Sequence, residues 1–380
     1  MICSRHRSGL PDHAGDDLED LEFDRTTILQ RLRYLPLGDR FRSVYNYTNF
    51  GLTAAAEATA KATGKSWEDL AFDRLYQPLG MNRTSSRYED FARAENRALG
   101  HVPVNGKWVA KYQRKPDAES PAGGVSSTVR DMAKWVRLQL GNGMFEGKQV
   151  IAAKPLAETH IPHMVNDPPK NPNLDRASFY GLGWNVSYSD RGLVQLGHSG
   201  AFNLGAGTAV YLLPAEDIGI VVLSNARPIG VPETIAVSFL DMVQYGKSRH
   251  DYFELFQPAF ATLEKPNYGT LVDYTKPPAQ RLPSMPLTTY TGTYRNHYFG
   301  EVEIAARAGK LFLLQGFKKQ AFPLQHYDRD MFTYQPEGEN AYGLSGVTFT
   351  IGANGKATAV MVEDLNINQQ GTFKRDLSKP

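Results

Sequence analysis

Residues 197–201 (GHSGA) and the apolar runs that follow them, 209–213 (AVYLL) and 218–223 (IGIVVL), decide the fold of this chain. The two runs are rich in β-branched residues and are separated by the turn-forming residues 214–217 (PAED), so they predict an antiparallel hairpin. A polar, glycine-flanked segment that leads into such a hairpin can hold reactive side chains on a rigid sheet. We therefore expect residues 197–201 to form one wall of an active site.

Regular elements extend from this hairpin in both directions along the chain. Upstream, residues 180–188 and 192–196 have the pattern of strands, which predicts an antiparallel meander. Downstream, Pro232 opens a helix that runs to about Gln244 and can pack on the sheet. Further helices are predicted at 27–34, from an N-cap at Thr48 or Asn49 to Gly64, at 67–76 and from Thr128 to Gly141. The fold class is therefore α+β, with an antiparallel sheet flanked by helices.

The C-terminal third of the chain has a different pattern. Prolines are frequent between Pro258 and Pro286, which predicts a linker of extended character. Short β runs follow at 289–294, 301–305, 311–314, 331–334, 347–351 and 358–362. The pattern predicts an α+β domain at 1–250, a proline-rich linker at 251–285 and a small all-β, lipocalin-like barrel at 286–376. We expect the aromatic residues of 290–334 to fill the core of that barrel.

Composition excludes several classes of function. With 42 basic and 40 acidic residues, the net charge of +2 gives no electrostatic case for binding nucleic acid. Cys3 is the only cysteine, so no intrachain disulfide can form, and no Cys/His spacing has the form of a zinc site. No apolar run is long enough for a membrane span, and the acid-rich residues 12–27 predict a solvated loop. A small organic substrate, without metal or cofactor, fits this composition.

Five short motifs follow one another in a recognisable order. They are residues 6–11 (HRSGLP), Tyr47-Thr48-Asn49, 77–81 (QPLGM), 122–125 (AGGV) and His198-Ser199-Gly200. Together they resemble the penicillin-recognising serine hydrolases, in particular the class C β-lactamase-like family with its esterases and D-aminopeptidases. The resemblance covers roughly residues 1–245, and the C-terminal β segment is similar to the small barrel often appended to these hydrolases.

The resemblance implies acyl transfer from an ester, amide or peptide and assigns roles to residues of three of the motifs. It implies catalytic roles for Tyr47, Asn49 and His198, and substrate contacts for Ser199, Gly200, Ala201, Gly123 and Gly124. Tyr47 would be the base or proton shuttle, and Asn49 would hydrogen-bond a lysine and the substrate amide. Substrate would lie along the strand of His198, with a backbone N–H beyond Gly200 in the oxyanion hole. Because class C β-lactamases carry lysine where this chain has His198, an esterase or peptidase is favoured.

One part of the family pattern is absent from the sequence. No serine is followed three residues later by lysine, so the nucleophile pair of the family is missing, and the Thr-x-x-Lys pattern at 262–265 lies on the wrong side of the other motifs. We expect a chain that lacks the N-terminal part of the sheet together with the nucleophile, and that is inactive alone. The sequence itself specifies neither an oligomeric state nor a destination. Related hydrolases are usually exported, which implies a periplasmic or secreted parent protein.

Two other functions are compatible with these residues. A protein that retains the substrate groove without a nucleophile would be a catalytically dead binding protein for a substrate or for peptidoglycan. Alternatively, residues 197–201 nearly match the Gly-x-Ser-x-Gly nucleophile elbow of α/β-hydrolases, with Ala201 in place of the last glycine. Such an elbow leads from a strand to a helix, whereas here a hairpin is predicted. His160 and His163 are three residues apart but have no third metal ligand in the sequence.

Overall fold

The computed structural model describes residues 3–37, 41–263, 265–266 and 268–378. Its helices are α1 (Asp16–Asp20), α2 (Arg25–Arg31), α3 (Asn49–Thr63), α4 (Trp67–Ala71), α5 (Tyr88–Arg93), α6 (Ser120–Gly123), α7 (Val129–Leu140), α8 (Ala153–Thr159), α9 (Val231–Tyr245) and α10 (Tyr252–Leu263). None of the helices in these ranges has both the length and the apolar character of a transmembrane span.

The strands of the first half of the chain are β1 (Val102–Val104), β2 (Lys107–Val109), β3 (Met144–Phe145), β4 (Lys148–Gln149), β5 (Met164–Asp167), β6 (Ser178–Tyr180), β7 (Asn185–Tyr188), β8 (Val194–Phe202), β9 (Ala206–Leu213) and β10 (Ile218–Ser224). The strands of the second half are β11 (Gly292–Asn296), β12 (Gly300–Arg307), β13 (Lys310–Gln315), β14 (Gln320–Pro323), β15 (Gln325–Asp328), β16 (Met331–Tyr334), β17 (Ser345–Ile351), β18 (Ala357–Val362) and β19 (Thr372–Arg375).

A six-stranded antiparallel sheet carries the stretch that decides the fold. Its strands are arranged in the order β10-β9-β8-β7-β6-β5, so each strand pairs with its neighbour in sequence. The predicted hairpin is confirmed: β9 and β10 pair from Leu213 with Ile218 to Gly207 with Ser224. A 3-10 turn (Pro214–Glu216) joins them, and the residue that follows it, Asp217, has a positive φ of 52°. The antiparallel meander is therefore the framework on which the polar stretch of β8 is held.

Helices α7 and α9 pack on this sheet. Thr128 caps α7 by accepting a hydrogen bond from the Asp131 N–H, and Val136 of α7 lies in a core with Leu196, Leu212 and Trp184. Alternate residues of a strand point to the same face, so His198 lies on the face of Leu196, which α7 covers. Ser199 lies on the opposite face, where its side chain contacts α9. Neighbouring residues of the polar stretch therefore have different environments.

The chain separates into two compact units. The first comprises Met1–Asp12 and Gly38–Thr262, and the second comprises His13–Leu37 and Leu263–Pro380. The second unit is a nearly closed, nine-stranded antiparallel sheet in the order β14-β13-β12-β11-β19-β18-β17-β16-β15. Its two end strands, β14 and β15, are separated in sequence only by Leu324. The mixed helix-and-sheet fold with an additional all-β barrel is thus confirmed.

Aromatic side chains fill the interior of the second unit. Six of them are at most 2% exposed, namely Tyr290, Tyr294, Tyr298, Phe299, Tyr334 and Phe373. Tyr290 packs against both Phe332 and Phe349, with ring centroids 5.2 and 4.7 Å away. Such contacts stabilise a core beyond the area they bury. The aromatic core predicted for this region is confirmed.

The acid-rich residues 12–27 are not the solvated loop that their composition predicts. They include α1, which belongs to the second unit, and the Tyr298 hydroxyl donates a hydrogen bond to Asp17 at 2.6 Å. Asp20 accepts hydrogen bonds from the backbone N–H groups of Glu339 and Asn340 at 2.8 and 2.9 Å. The prediction was wrong because these acids are acceptors for donors more than 250 residues away in sequence, which local composition cannot reveal.

The proline-rich segment is partly helical. Helix α10 covers residues 252–263 and contains Pro258, so the extended character predicted from Pro258 onward is wrong for residues 258–263. The apolar spacing of Phe253, Phe256 and Phe260 offsets the backbone hydrogen bond that a proline removes from a helix. The predicted linker at 251–285 and the predicted domain bounds of 1–250 and 286–376 stay predictions.

Candidate active site

The segment Tyr47-Thr48-Asn49 is fixed at the start of helix α3. Thr48 is fully buried, and its hydroxyl oxygen accepts a hydrogen bond from the Gly51 N–H at 3.2 Å. A Cβ on Gly51 would lie 2.6 Å from the Thr48 methyl group, so this cap requires glycine. Of the two N-cap candidates, the structure has Thr48, and Asn49 is the first helical residue. Tyr47 and Asn49 therefore flank a residue that cannot move.

His6 connects this segment to the rest of the site. Its ring is 1% exposed, and its Nδ1 accepts a hydrogen bond from the Thr48 N–H at 3.1 Å. The ring centroid lies 4.5 Å from that of Tyr47 and 4.7 Å from that of Tyr180. Because Nδ1 is an acceptor here, the neutral ring carries its proton on Nε2. His6 thus orients the Tyr47 segment by packing and by a hydrogen bond.

His198 joins the same group of rings from the sheet. Its ring centroid lies 6.4 Å from that of Tyr180, and its Nδ1 donates a hydrogen bond to the Gly183 carbonyl at 2.8 Å. Burial lowers the pKa of His198 below its usual 6.5, against the opposing effect of that carbonyl. At pH 7 the ring is therefore neutral, with Nε2 as an acceptor. We call Tyr47, His6, Tyr180 and His198 the His6 cluster.

Strand β8 has one uncovered edge at the polar stretch. Its pairing with β7 ends at Gly197, whereas its pairing with β9 continues to Phe202. The backbone just before β7 turns away from β8 at Gly183, which has a positive φ of 88°. No strand in the described ranges covers residues 198–202 on that side. An extended substrate can add to such an edge through main-chain hydrogen bonds.

Ser199 lies in the middle of β8 and donates a hydrogen bond from its hydroxyl to the carboxylate of Glu233 on α9. It is followed by Gly200, where a Cβ would lie 2.6 Å from the Thr208 hydroxyl, and by Ala201, which is exposed. Because β8 continues through Ser199 and leads into another strand, the strand-to-helix elbow of α/β-hydrolases is absent at this position. The α/β-hydrolase interpretation was therefore wrong.

Gly123 and Gly124 lie near the Phe202 end of this edge, beside a cavity of about 720 Å³, and a Cβ on Gly123 would lie 3.7 Å from the Phe202 ring. A Cβ on Gly124 would lie 2.4 Å from the Cα of Ser120, so the turn after α6 requires glycine there. The cavity is also lined by Arg114 and Phe202, and the Arg114 guanidinium lies 4.2 Å above the Phe202 ring. The residues that resemble the family's site thus fall into two groups: Gly123 and Gly124 line the cavity, whereas Tyr47, Asn49, His198, Ser199, Gly200 and Ala201 do not.

The two histidines considered as metal ligands take part in local packing. His160 Nε2 hydrogen-bonds the Gln139 side-chain oxygen at 2.9 Å, and burial lowers its pKa. His163 Nε2 hydrogen-bonds the Glu158 carbonyl at 2.8 Å. Within the part of the chain that the structure describes, no three His, Cys, Asp or Glu side chains are grouped so that they could hold a metal ion.

Three residues of the site were not singled out individually from the sequence. His6 was noted only as part of the 6–11 motif, Tyr180 only as the start of a strand, and Glu233 not at all. Their contacts are non-local: His6 bonds to Thr48, and Glu233 bonds to Ser199. The sequence does show an acidic residue, Glu233, in the first turn of α9. Such a residue is normally interpreted as a charge that stabilises the helix dipole.

Two family models match the chain. The model described as "Beta-lactamase" matches residues 4–236, and a model described as "Domain of unknown function (DUF3471)" matches residues 276–375. The first match covers more than half of the chain and contains every residue of the His6 cluster, Ser199 and Glu233.

Curated proteins are similar to this chain in sequence, and solved structures are similar to it in fold. The chain is 26% identical over 363 residues to "Unguisins hydrolase ungD" of Aspergillus violaceofuscus (strain CBS 115571), and the match covers 86% of this chain but 63% of that relative. The octameric penicillin-binding protein homologue from Pyrococcus abyssi is 19% identical with a TM-score of 0.52, covering 98% of this chain and 76% of that one. A D-stereospecific amidohydrolase from Streptomyces sp. is 18% identical with a TM-score of 0.51, covering 64% and 72%.

Proposed function

The chain belongs to the beta-lactamase family, and from this we propose that it carries the proton-transfer and substrate-docking residues of a serine hydrolase that cleaves an ester or amide through an acyl-enzyme. The observation that carries the proposal is the His6 cluster, which brings the Tyr47 segment and the His198 strand into one group of packed rings. The two segments are far apart in sequence, and the packed rings bring their hydroxyl and imidazole groups into the same region of the first unit.

The proposed steps assign one task to each group. Tyr47 accepts the proton of the attacking serine hydroxyl, and later donates it to the leaving alkoxide or amine. The substrate lies along the uncovered edge of β8, and the Ala201 N–H donates to the oxyanion of the tetrahedral intermediate. Asn49 binds the substrate amide with its side-chain oxygen and nitrogen. Water then hydrolyses the acyl-enzyme by the same proton transfers in reverse.

The substrate that we propose is a peptide, amide or ester rather than a β-lactam drug. A neutral His198 cannot supply the permanent cation that would pair with a drug carboxylate. The cavity beside Gly123 and Gly124 is within the size range of small-molecule pockets, so it can take a bulky side chain of a peptide substrate. By their names, the Aspergillus relative hydrolyses unguisins and the Streptomyces neighbour is an amidohydrolase.

The serine nucleophile would have to come from residues outside this sequence, because no Ser-x-x-Lys pair occurs within it. A fluorophosphonate probe, which labels activated serines, tests this. The 380-residue chain alone is expected to remain unlabelled, whereas the product of the complete gene is expected to be labelled at a serine followed three residues later by lysine. Labelling of the 380-residue chain itself would overturn this assignment.

The missing pair is also the observation that favours a second candidate function, a catalytically dead binding protein. Under that alternative, the product of the complete gene contains no Ser-x-x-Lys pair and remains unlabelled, yet it binds phenylalaninamide or a peptidoglycan fragment at β8. Equilibrium binding of those two ligands, measured beside the labelling, separates the two functions.

A further inference from the structure

A buried carboxylate lies directly behind the substrate edge of β8. Glu233 is 7% exposed, and one of its carboxylate oxygens accepts the hydrogen bond from the Ser199 hydroxyl. Its other oxygen, Oε2, is buried and has no hydrogen-bond partner in the described part of the chain. No lysine, arginine or histidine among the described residues forms an ion pair with it. Glu233 is therefore a buried acid that no described cation neutralises.

The hydrogen bond from Ser199 determines what that side chain can offer to a ligand. A serine hydroxyl has one proton to donate and two lone pairs that can accept. A carboxylate is a stronger acceptor than the Thr208 carbonyl, which lies 3.4 Å from the same hydroxyl, so the proton points to Glu233. Ser199 is exposed, and only its lone pairs are left for a ligand at the uncovered edge.

The two titratable side chains nearest to Ser199 and Glu233 supply no positive charge. His198, one residue away, is neutral at pH 7 because burial lowers its pKa. Burial, and secondarily the charge of Glu233, raise the pKa of Tyr211 on β9, so this phenol is neutral as well. The end of the site near Ser199 therefore combines a hydrogen-bond acceptor with a buried carboxyl group that pairs with no described cation.

We propose that Ser199 and Glu233 determine the charge specificity of the site: they bind a primary ammonium group of a peptide or amino-acid amide and exclude a carboxylate. An ammonium donates to the Ser199 lone pairs and is attracted by Glu233. A carboxylate at the same place finds no donor and lies near a second carboxyl group, which disfavours its binding. This inference rests on the proposed function, because it assumes that substrate lies along β8.

A helix-capping role alone does not account for Glu233. It is the third residue of α9, where an acid stabilises the helix dipole. Glu254 has the same position in α10 and is exposed. A capping acid gains nothing from burial, whereas burial beneath Ser199 increases the effect of the charge on a ligand at the strand. Glu254 therefore provides a matched control.

The test measures equilibrium binding of three matched ligands to the product of the complete gene: phenylalaninamide, its N-acetyl derivative and its N-succinyl derivative, which are cationic, neutral and anionic. We expect the cationic ligand to bind about tenfold or more tighter than the anionic one. Glu233→Gln should reduce this ratio at least about tenfold, mainly by strengthening binding of the anionic ligand. Ser199→Ala should weaken the cationic ligand while the anionic one stays weak. Nα-acetyl-lysinamide, measured in parallel, separates a side-chain ammonium from an α-ammonium.

One control variant and three contradicting outcomes belong to this test. Glu254→Gln should leave the ratio unchanged. Equal weakening of all three ligands by Glu233→Gln and Ser199→Ala would show a purely structural role and overturn the inference. If the protein is labelled by fluorophosphonate but shows no charge preference, the inference fails and the proposed function stands. If it is neither labelled nor able to bind any of the ligands, the proposed function fails and the inference fails with it.

Discussion

His6 shows how much of the site depends on one buried side chain. It accepts a hydrogen bond from the Thr48 N–H and its ring lies between those of Tyr47 and Tyr180. A buried amide that loses its acceptor destabilises the fold by about 1–3 kcal/mol. The orientation of Tyr47, the proposed base, therefore depends on His6, which belongs to the separate motif at residues 6–11.

We predict that His6→Ala lowers the free energy of unfolding of the first unit by about 1–3 kcal/mol, because the Thr48 N–H is left unpaired. All four tryptophans lie within residues 67–184, so urea unfolding followed by tryptophan fluorescence reports on this unit. His6→Asn keeps an acceptor near the position of Nδ1 and tolerates the φ of 50° at this residue. It should recover about half of the loss. Equal stability of His6→Ala and the unsubstituted protein would contradict this role.

At the scale of single residues, the sequence predicted which residues belong to the site, but it did not predict which side chains they contact. The spacing of Tyr47 and Asn49 and the sequence around His198 identified both segments. The neutral state of His198 was expected from its usual pKa, and burial lowers that pKa further. In contrast, the contact of Ser199 with Glu233 joins a strand to a helix 34 residues later. No local pattern encodes that pairing.

At the scale of elements, long periodic segments were predictable from the sequence. The β9–β10 hairpin and helix α9 lie within three residues of their predicted positions because β-branched runs and a first-turn proline leave few alternatives. Strands β14, β15 and β19 were missed because each is short and contains proline or charged residues, whereas the equally short β16 (MFTY) consists mainly of residues that favour strands. An Asn-Gly pair such as Asn354-Gly355 predicts a two-residue hairpin turn. The structure differs, because the Gly352 N–H donates to the Lys356 carbonyl and closes a three-residue loop.

Helix α1 supplies a pH-dependent interaction within the second unit. Burial raises the pKa of Asp17 to about 7, although the Tyr298 hydroxyl partly opposes this by hydrogen-bonding the carboxylate. Because this pKa is higher in the folded state than the usual 3.8, the folded state favours the protonated acid. The resulting stabilisation is complete below about pH 4 and is lost as pH rises through about 7.

We predict that Asp17→Asn stabilises the second unit relative to the unsubstituted protein by about 1–3 kcal/mol at pH 8, and by little at pH 4. Asparagine still accepts from Tyr298 but does not ionise. Hydrogen exchange of the barrel strands, corrected for intrinsic rates between pH 4 and 8, measures the difference. Glu22→Gln, which removes an exposed carboxylate paired with Lys318 at 2.7 Å, is the control. A pH-independent difference for Asp17→Asn would contradict the raised pKa.

At the scale of the whole molecule, the order of the motifs carried more information than any single motif. Five weak motifs in sequence identified the family, which the match over residues 4–236 confirms. The contribution of residues 13–37 to the second unit was not predictable, because their partners lie near residues 298 and 339. The chain spans 63% of the length of the Aspergillus relative. The activity of the whole protein is therefore a proposal that rests on the site.

The central claim is that Tyr47 is the base that activates the serine. The most direct test is the kcat and KM for phenylalaninamide of a form that contains the serine–lysine pair, with Tyr47→Phe compared to Tyr45→Phe. Tyr45 also contacts His6, with ring centroids 5.5 Å apart, and is the matched control. We expect Tyr47→Phe to lower kcat about 10²–10⁴-fold with KM changed little, while Tyr45→Phe keeps kcat near the unsubstituted value. Full activity of Tyr47→Phe, or an equal loss in both variants, would contradict it.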